Sequence, residues 1–288
     1  MYEPRNDDEA VRHLLALGYV DPEISGAREA ALRRQLEAEF QQGLKAYERG
    51  DVQEAGRHFE QLIVDDPNWV APRQLLAEIH YRNGRWNEAQ LQLDWLTLHG
   101  VEHPRLALIT GAIALACRDF ATALGALKYA AHVEPTLPSV HALLGTVFRR
   151  LGNLDQAEQT FQTALSRNPT DAQALDGLAA ICVQRHDFAE AADWALQALD
   201  HDMQMFSAHY HLGIALAHLD RPQDAIVALE TSARLNATAA APYYWLEQIA
   251  ANQQNDPARA SQYRERGRVI IRRRRQQRRH SETDTTRK

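Results

Sequence analysis

The chain has 288 residues, 45% of them hydrophobic and 24% charged, and these ordinary fractions exclude wholesale disorder. It contains no run of about 18 apolar residues that would span a membrane. Its two cysteines, Cys117 and Cys182, make neither a disulfide framework nor a zinc site, which favours a reducing, cytoplasmic setting. The net charge of −6 is uneven, because residues 258–288 carry +9 and residues 1–257 carry −15. An acidic body ends in a basic tail.

The polar, acidic N-terminus has no signal-peptide core. Residues 7–19 read as a short amphipathic helix with Val11, Leu14, Leu15 and Leu17 on its apolar side. Gly18-Tyr19-Val20-Asp21-Pro22 should end it, and helix should resume over Ala27–Ala46 after Ser25-Gly26. From there the sequence repeats. Ala55, Ala89, Ala123, Ala157, Ala191 and Ala225 stand 34 residues apart without a slip, each after a turn-like cluster such as Gly50-Asp51, Asn83-Gly84 or Gly152-Asn153. Each turn separates two apolar-periodic helices, with a polar residue placed to cap the second. Pro67, Pro135 and Pro169 close several units. Small residues recur twelve positions before each alanine (Gly43, Ala77, Gly111, Gly145, Ala179, Gly213), which predicts that the two helices of a hairpin touch there. A seventh unit begins at Tyr243, but its alanine, Ala260, comes one residue late. Helix should then continue over Arg264–His280. Beyond Ile271 the arginines find little to pack against, which predicts a fraying helix over 272–279 and disorder from Ser281.

This pattern resembles the tetratricopeptide repeat, whose signature pairs W-x2-L-G-x2-Y with A-x3-F and a closing proline. The fourth unit is nearest, with His141-x2-Leu144-Gly145-x2-Phe148, Ala157-x3-Phe161, Ala164 and Pro169. The fifth departs more, with Ala195 where an aromatic is usual, Trp194 one residue earlier, and Met203 in place of the proline. The resemblance implies an all-α fold, a right-handed α-solenoid of stacked helical hairpins. An N-terminal segment (1–35) would precede six repeats and a degenerate capping seventh (36–271), followed by the basic tail (272–288). One such hairpin cannot bury its own apolar stripe, so neighbours must stack. Leu15-Ala16-Leu17-Gly18-Tyr19-Val20-Asp21-Pro22 resembles the junction where alkaline-phosphatase-like or sulfatase-like domains run into such repeats. On that reading the chain is the accessory repeat half of a hydrolase without its catalytic domain; the alternative is an ordinary cap helix.

Catalysis is not expected. The sequence has no G-x-S-x-G elbow and no phosphate-binding loop, and its glycines sit at repeat positions. Of the thirteen histidines, His211 and His218 lie about 10.5 Å apart along one helix, too far to share a metal. Packed or solvated histidines are the reading, with no metal and no cofactor.

The exposed face of each first helix follows from 100° per residue. It carries Tyr47 and Glu48 in the first repeat, Glu78, Tyr81 and Arg82 in the second, and Arg149 and Arg150 in the fourth. Asp176 follows in the fifth, Tyr210 and His211 in the sixth, and Tyr244 and Trp245 in the seventh. In the family these helices line a concave groove, so the resemblance implies a non-enzymatic scaffold binding a partner peptide there. Tyr47 with Tyr81, and Tyr210 with Tyr244, are register equivalents about 8–10 Å apart that can flank one ligand side chain. Glu48 and Arg82 are equivalents that can pair with each other, while Arg149 and Arg150 suit an acidic segment. The alternative for each is a solvated or neighbour-packing side chain. The lysine–asparagine clamp known in the family is missing, because Phe40 and Leu44 stand at its places in the first repeat. Arg272, Arg273, Arg274, Arg275, Arg278 and Arg279 read either as a solubilising cap or as a site for nucleic acid, anionic membrane or an acidic protein.

Overall fold

The computed structural model describes residues 22–285, and among them every regular element is helical. The chain runs through α1 (Pro22–Glu48), α2 (Val52–Asp65), α3 (Val70–Arg82), α4 (Trp86–Leu98), α5 (Pro104–Ala116), α6 (Phe120–Val133) and α7 (Val140–Arg150). It continues through α8 (Leu154–Arg167), α9 (Ala172–Arg185), α10 (Phe188–His201), α11 (Phe206–His218), α12 (Pro222–Leu235), α13 (Ala241–Gln248), a π-helical turn (Ile249–Gln253) and α14 (Pro257–Thr285). The helix expected over 7–19 and the junction-like string up to Asp21 lie outside the described residues. α1 corrects one boundary: it begins at Pro22 and runs unbroken through Ser25-Gly26. Proline has no N–H to lose in a first turn, and a glycine inside a long helix costs only about 1 kcal/mol.

Contacts divide the chain between Ile109 and Thr110 into two compact units, within each of which hairpins stack on their neighbours. The 34-residue period has a backbone cause. Asp51, Arg85, Asp119, Asn153, Asp187 and Arg221 each donate their N–H to the carbonyl five residues back, at 2.8–3.0 Å. The residue before each donor is left-handed: Gly50, Gly84 and Gly152 (φ 81°, 70° and 82°), but also Arg118, His186 and Asp220 (φ 65°, 67° and 57°). Glycine enters that region freely, whereas the other three carry a side chain into it. Side-chain caps are less regular than expected. Asp51 and Asp119 accept from Glu54 and Thr122, but Asn153 and Asp187 make no cap bond.

The seventh repeat breaks the rule by one residue. Gln254 donates to Ile249 at 3.1 Å and Asp256 reaches back six residues to Ala250 at 2.8 Å. A π-helical turn inserts one residue into an α-helix, which is why Ala260 arrives late. Ala260 and Tyr263 still reach the core, each 4% exposed.

The small residues do meet a partner helix, and their nearest neighbour there is a large side chain four residues beyond the repeat alanine. A Cβ on Gly43, Gly111, Gly145 or Gly213 would lie 2.5–2.7 Å from Phe59, Leu127, Phe161 or Leu229, each sixteen residues on; that of Gly213 would also lie 3.2 Å from the Ala225 carbonyl. Phe161 is held on both sides, by Gly145 of α7 and by Gly177 of α9, where a Cβ would fall 2.3 Å from the ring. The fifth repeat puts buried Ala179 and Ala195 at the matching places, and Trp194 packs at the edge of the core instead. At the end of the chain α14 stays helical through residues 281–285, where disorder was expected. None of the described helices is long and apolar enough to cross a membrane.

Candidate functional site

Each unit gathers predicted surface residues into its own cluster. In the first, Tyr47 ends α1, and Glu78, Tyr81 and Arg82 end α3. Arg82 donates to Glu78 at 2.5 Å and lies 5.7 Å from the Tyr47 ring centre. Burial raises the Tyr47 pKa, and its hydrogen bond to Glu78 raises it further; burial alone raises that of Tyr81. The acid that serves Arg82 is therefore Glu78, four residues back on its own helix, rather than the expected Glu48, which is exposed.

In the second unit Asp176 of α9 faces His211 of α11, with Oδ1 and Nδ1 2.6 Å apart and each side chain 14% exposed. Burial pushes the Asp176 carboxyl up, but His211, the Ser207 hydroxyl and Arg149 outweigh it and hold the group below the usual carboxylate range. Arg149, near the end of α7, has its Nε buried with no hydrogen-bond partner. Burial and the neighbouring Arg150 charge lower its pKa, against the opposing pull of Asp176. Arg150 itself is exposed. Tyr210, expected on the open face, instead packs against the core of this unit with its hydroxyl hydrogen-bonded to Trp245, while Tyr244 stays 59% exposed.

One geometric reason accounts for these differences. Side chains 34 residues apart point the same way on neighbouring first helices and run side by side without meeting. The ones that meet lie on flanks turned toward each other, about 100° round the helix, which is one residue further on. Hence Tyr47 meets Arg82, Asp176 meets His211 and Tyr210 meets Trp245, each pair 35 residues apart. The Glu48–Arg82 pair that the register offered is replaced by Glu78–Arg82.

Some of the second unit's surface was not foreseen. Phe188 stacks on His218 at 3.9 Å, His218 meets Trp245 edge-on at 5.4 Å, and Trp245 meets Tyr244 at 5.8 Å. The run borders a pocket of about 250 Å³ between His218, Tyr244, Trp245, Gln248 and Asn252, beside the π-helical turn. Phe188 follows a turn, where a reading of first-helix faces does not look. Other histidines clasp loops: His141 and His209 donate Nε2–H to the carbonyls of Pro135 and Met203, both at 3.1 Å. Arg73 does the same to Pro67 at 2.9 Å, so alternate repeats share one clasp. Among the described residues no three His, Cys, Asp or Glu side chains gather to hold a metal. Cys182 is buried, and burial with nearby acids pushes its thiol up to about 11, making it a poor nucleophile.

In the last helix, Arg264 pairs with Glu247 at 2.8 Å, Arg259 stands 3.6 Å from Glu230, and Arg272 stands 3.8 Å from Glu265. Arg273, Arg274 and Arg275 are exposed. The side chains of Arg278 and Arg279 lie outside the described residues.

A hairpin every 34 residues, closed by one repeated backbone bond and packed small against large, is the architecture of a tetratricopeptide-repeat protein. Residues 46–113 and 143–206 match tetratricopeptide-repeat sequence profiles, so the chain carries these repeats in both units. A tetratricopeptide repeat protein from Parabacteroides merdae has a similar structure, with a TM-score of 0.62 and 15% identity over 82% of this chain and 93% of that one. The structure of pilF from Pseudomonas aeruginosa is also similar, with a TM-score of 0.57 and 15% identity over 75% of this chain and 98% of that one. At such identity the likeness concerns the fold alone.

Proposed function

We propose that the chain is a non-enzymatic scaffold that binds an acidic peptide segment of a partner protein on the first-helix face of its second unit. The observation that carries this reading is Arg149, whose Nε is buried and unpartnered beside the exposed Arg150. A buried donor without a partner is disfavoured by roughly 1–3 kcal/mol, more when charged, and a carboxylate supplied by a partner removes that penalty. Arginine suits the task because its planar fork matches a carboxylate in two bonds. The fixed Asp176–His211 pair prevents free collapse of Arg149 onto Asp176, and exposed Tyr244 offers aromatic contact area at small entropic cost.

Selection of random displayed peptides on the full chain tests this. Enrichment in Asp and Glu is expected, and it should vanish when Arg149 and Arg150 are both changed to Gln. Arg149→Lys keeps the charge but not the fork and should weaken the selected peptides roughly tenfold, about one charged hydrogen bond. Peptide sets with no acidic bias, or the same set from the double variant, would contradict the proposal.

A further inference from the structure

The last helix holds more positive charge than the fold uses. Arg259 and Arg264 are spent on Glu230 and Glu247, and Arg272 has only a loose contact with Glu265. Arg268, Arg273, Arg274 and Arg275 are exposed and face no acid among the described residues. Val269 and Ile270 are half-buried, and from Ile271 to Gln276 every side chain is exposed. The helix nevertheless continues to Thr285, about 21 Å beyond Ile271 at 1.5 Å per residue.

The arrangement of these arginines selects among polyanions. Arg272 to Arg275 are consecutive, so at 100° per residue they point to every side of the helix. A helix lying on a bilayer needs an apolar face, and Arg272-Arg273-Arg274-Arg275-Gln276-Gln277-Arg278-Arg279 has no apolar residue. On a flat anionic surface about half of the charges would point away from it. A groove with phosphates on both walls uses all of them. The B-form major groove is about 12 Å wide and a helix with its side chains about 10–12 Å across, whereas the A-form major groove of RNA is deep and narrow.

We infer that residues 268–275 form a sequence-independent binding site for double-stranded DNA, with the helix seated in the major groove and its arginines on the phosphates. Phosphate contacts fix position without reading sequence. The −15 carried by residues 1–257 does not cancel the site. At physiological salt its field decays over about 8 Å, so only the acids nearest the helix, such as Glu265, oppose it.

The test is fluorescence anisotropy of the full chain with a mixed-sequence DNA duplex across a salt series. About five phosphate contacts predict a log–log slope of about −4.5, roughly a 500-fold loss of affinity between about 50 and 200 mM salt. Changing Arg273, Arg274 and Arg275 together to Gln should flatten the slope by about 2.7 and weaken low-salt binding at least roughly tenfold. Circular dichroism of the variant should match the wild type, because none of the three side chains packs. The inference is overturned if the duplex does not bind at low salt, if binding ignores salt, or if the triple variant binds like the wild type. It is equally overturned if phosphatidylserine vesicles or an RNA duplex bind as tightly as the DNA.

Discussion

The two clusters on the first-helix faces use the same residue types and solve their charge problem differently. In the first unit the cation is exposed and served by an acid on its own helix, Arg82 on Glu78, with Tyr47 bonded to the same carboxylate. In the second, the acid is buried and already committed to His211, and Arg149 is left with a buried donor and no partner. The first cluster is closed on itself. On the proposed reading a carboxylate from outside the chain completes the second, so a surface rich in charge is not by that fact a binding surface. What matters is which charges remain unpaired once the fold has formed.

The sharpest way to break the comparison is to remove the acid from each cluster. Asp176→Ala takes the hydrogen-bond partner from half-buried His211 and the nearby acid from Arg149, and should cost about 3 kcal/mol. Glu78→Ala releases an exposed arginine and should cost less than about 1 kcal/mol. Chemical denaturation measures both, and equal losses would erase the distinction. The next effect tests the packing that seats Asp176. Gly177 stands beside it in sequence, and its missing Cβ makes room for Phe161. Gly177→Leu, or Gly145→Leu on the ring's other side, should cost about 1–3 kcal/mol or more by overpacking. Because repeats are stabilised through their neighbours, hydrogen-exchange protection should fall in the adjoining hairpins too. Wild-type melting would show that the ring is not clamped.

Acid should separate two groups of residues. The folded pKa of Asp176 lies below its unfolded value, so its contribution is present above about pH 4 and is lost as pH falls through the folded value. His80, His141 and His218 are held below the ordinary imidazole value, first by burial, so they favour the fold above about pH 6.5 and lose that contribution as pH falls below it. Stability against pH should therefore decline in two stages. His80→Leu should flatten the upper stage and Asp176→Asn the lower, and an unchanged profile for either variant would contradict the assignment. The smallest effect concerns the turns. Arg118→Gly should stabilise the chain by about 0.4–1 kcal/mol by relieving a left-handed side chain, and Gly152→Ala should destabilise it by at least as much. A loss on Arg118→Gly would mean that the side chain contributes more than the backbone strain removes.

The period was legible because one backbone device recurs: six alanines mark the first turn of each second helix, and six equivalent backbone hydrogen bonds close the turns before them. Even the late Ala260 was visible as an irregularity, although only the π-helical turn explains it. Pairing across helices was not legible. A linear register finds residues that point the same way, and contact needs residues that point toward each other, so Asp176 and His211 were both placed on the exposed face without being joined. Burial was misjudged for the same reason at Tyr210, which lies on the flank covered by Trp245. Phe188 was not legible because it opens a second helix just after a turn, where a reading of first-helix faces does not look.

In the proposed site Arg149 and Arg150 receive an acidic segment, and a charge swap tests that most directly. An acidic peptide selected on the wild-type chain is titrated against wild type and Arg150→Glu, and so is its counterpart with Lys in place of each Asp and Glu. The acidic peptide should lose at least roughly tenfold in affinity on the variant, about 1.4 kcal/mol, and the lysine peptide should gain there what it lacks on the wild type. If each peptide binds the two proteins equally, the open cation of the second unit is a flaw in the packing and not a binding site.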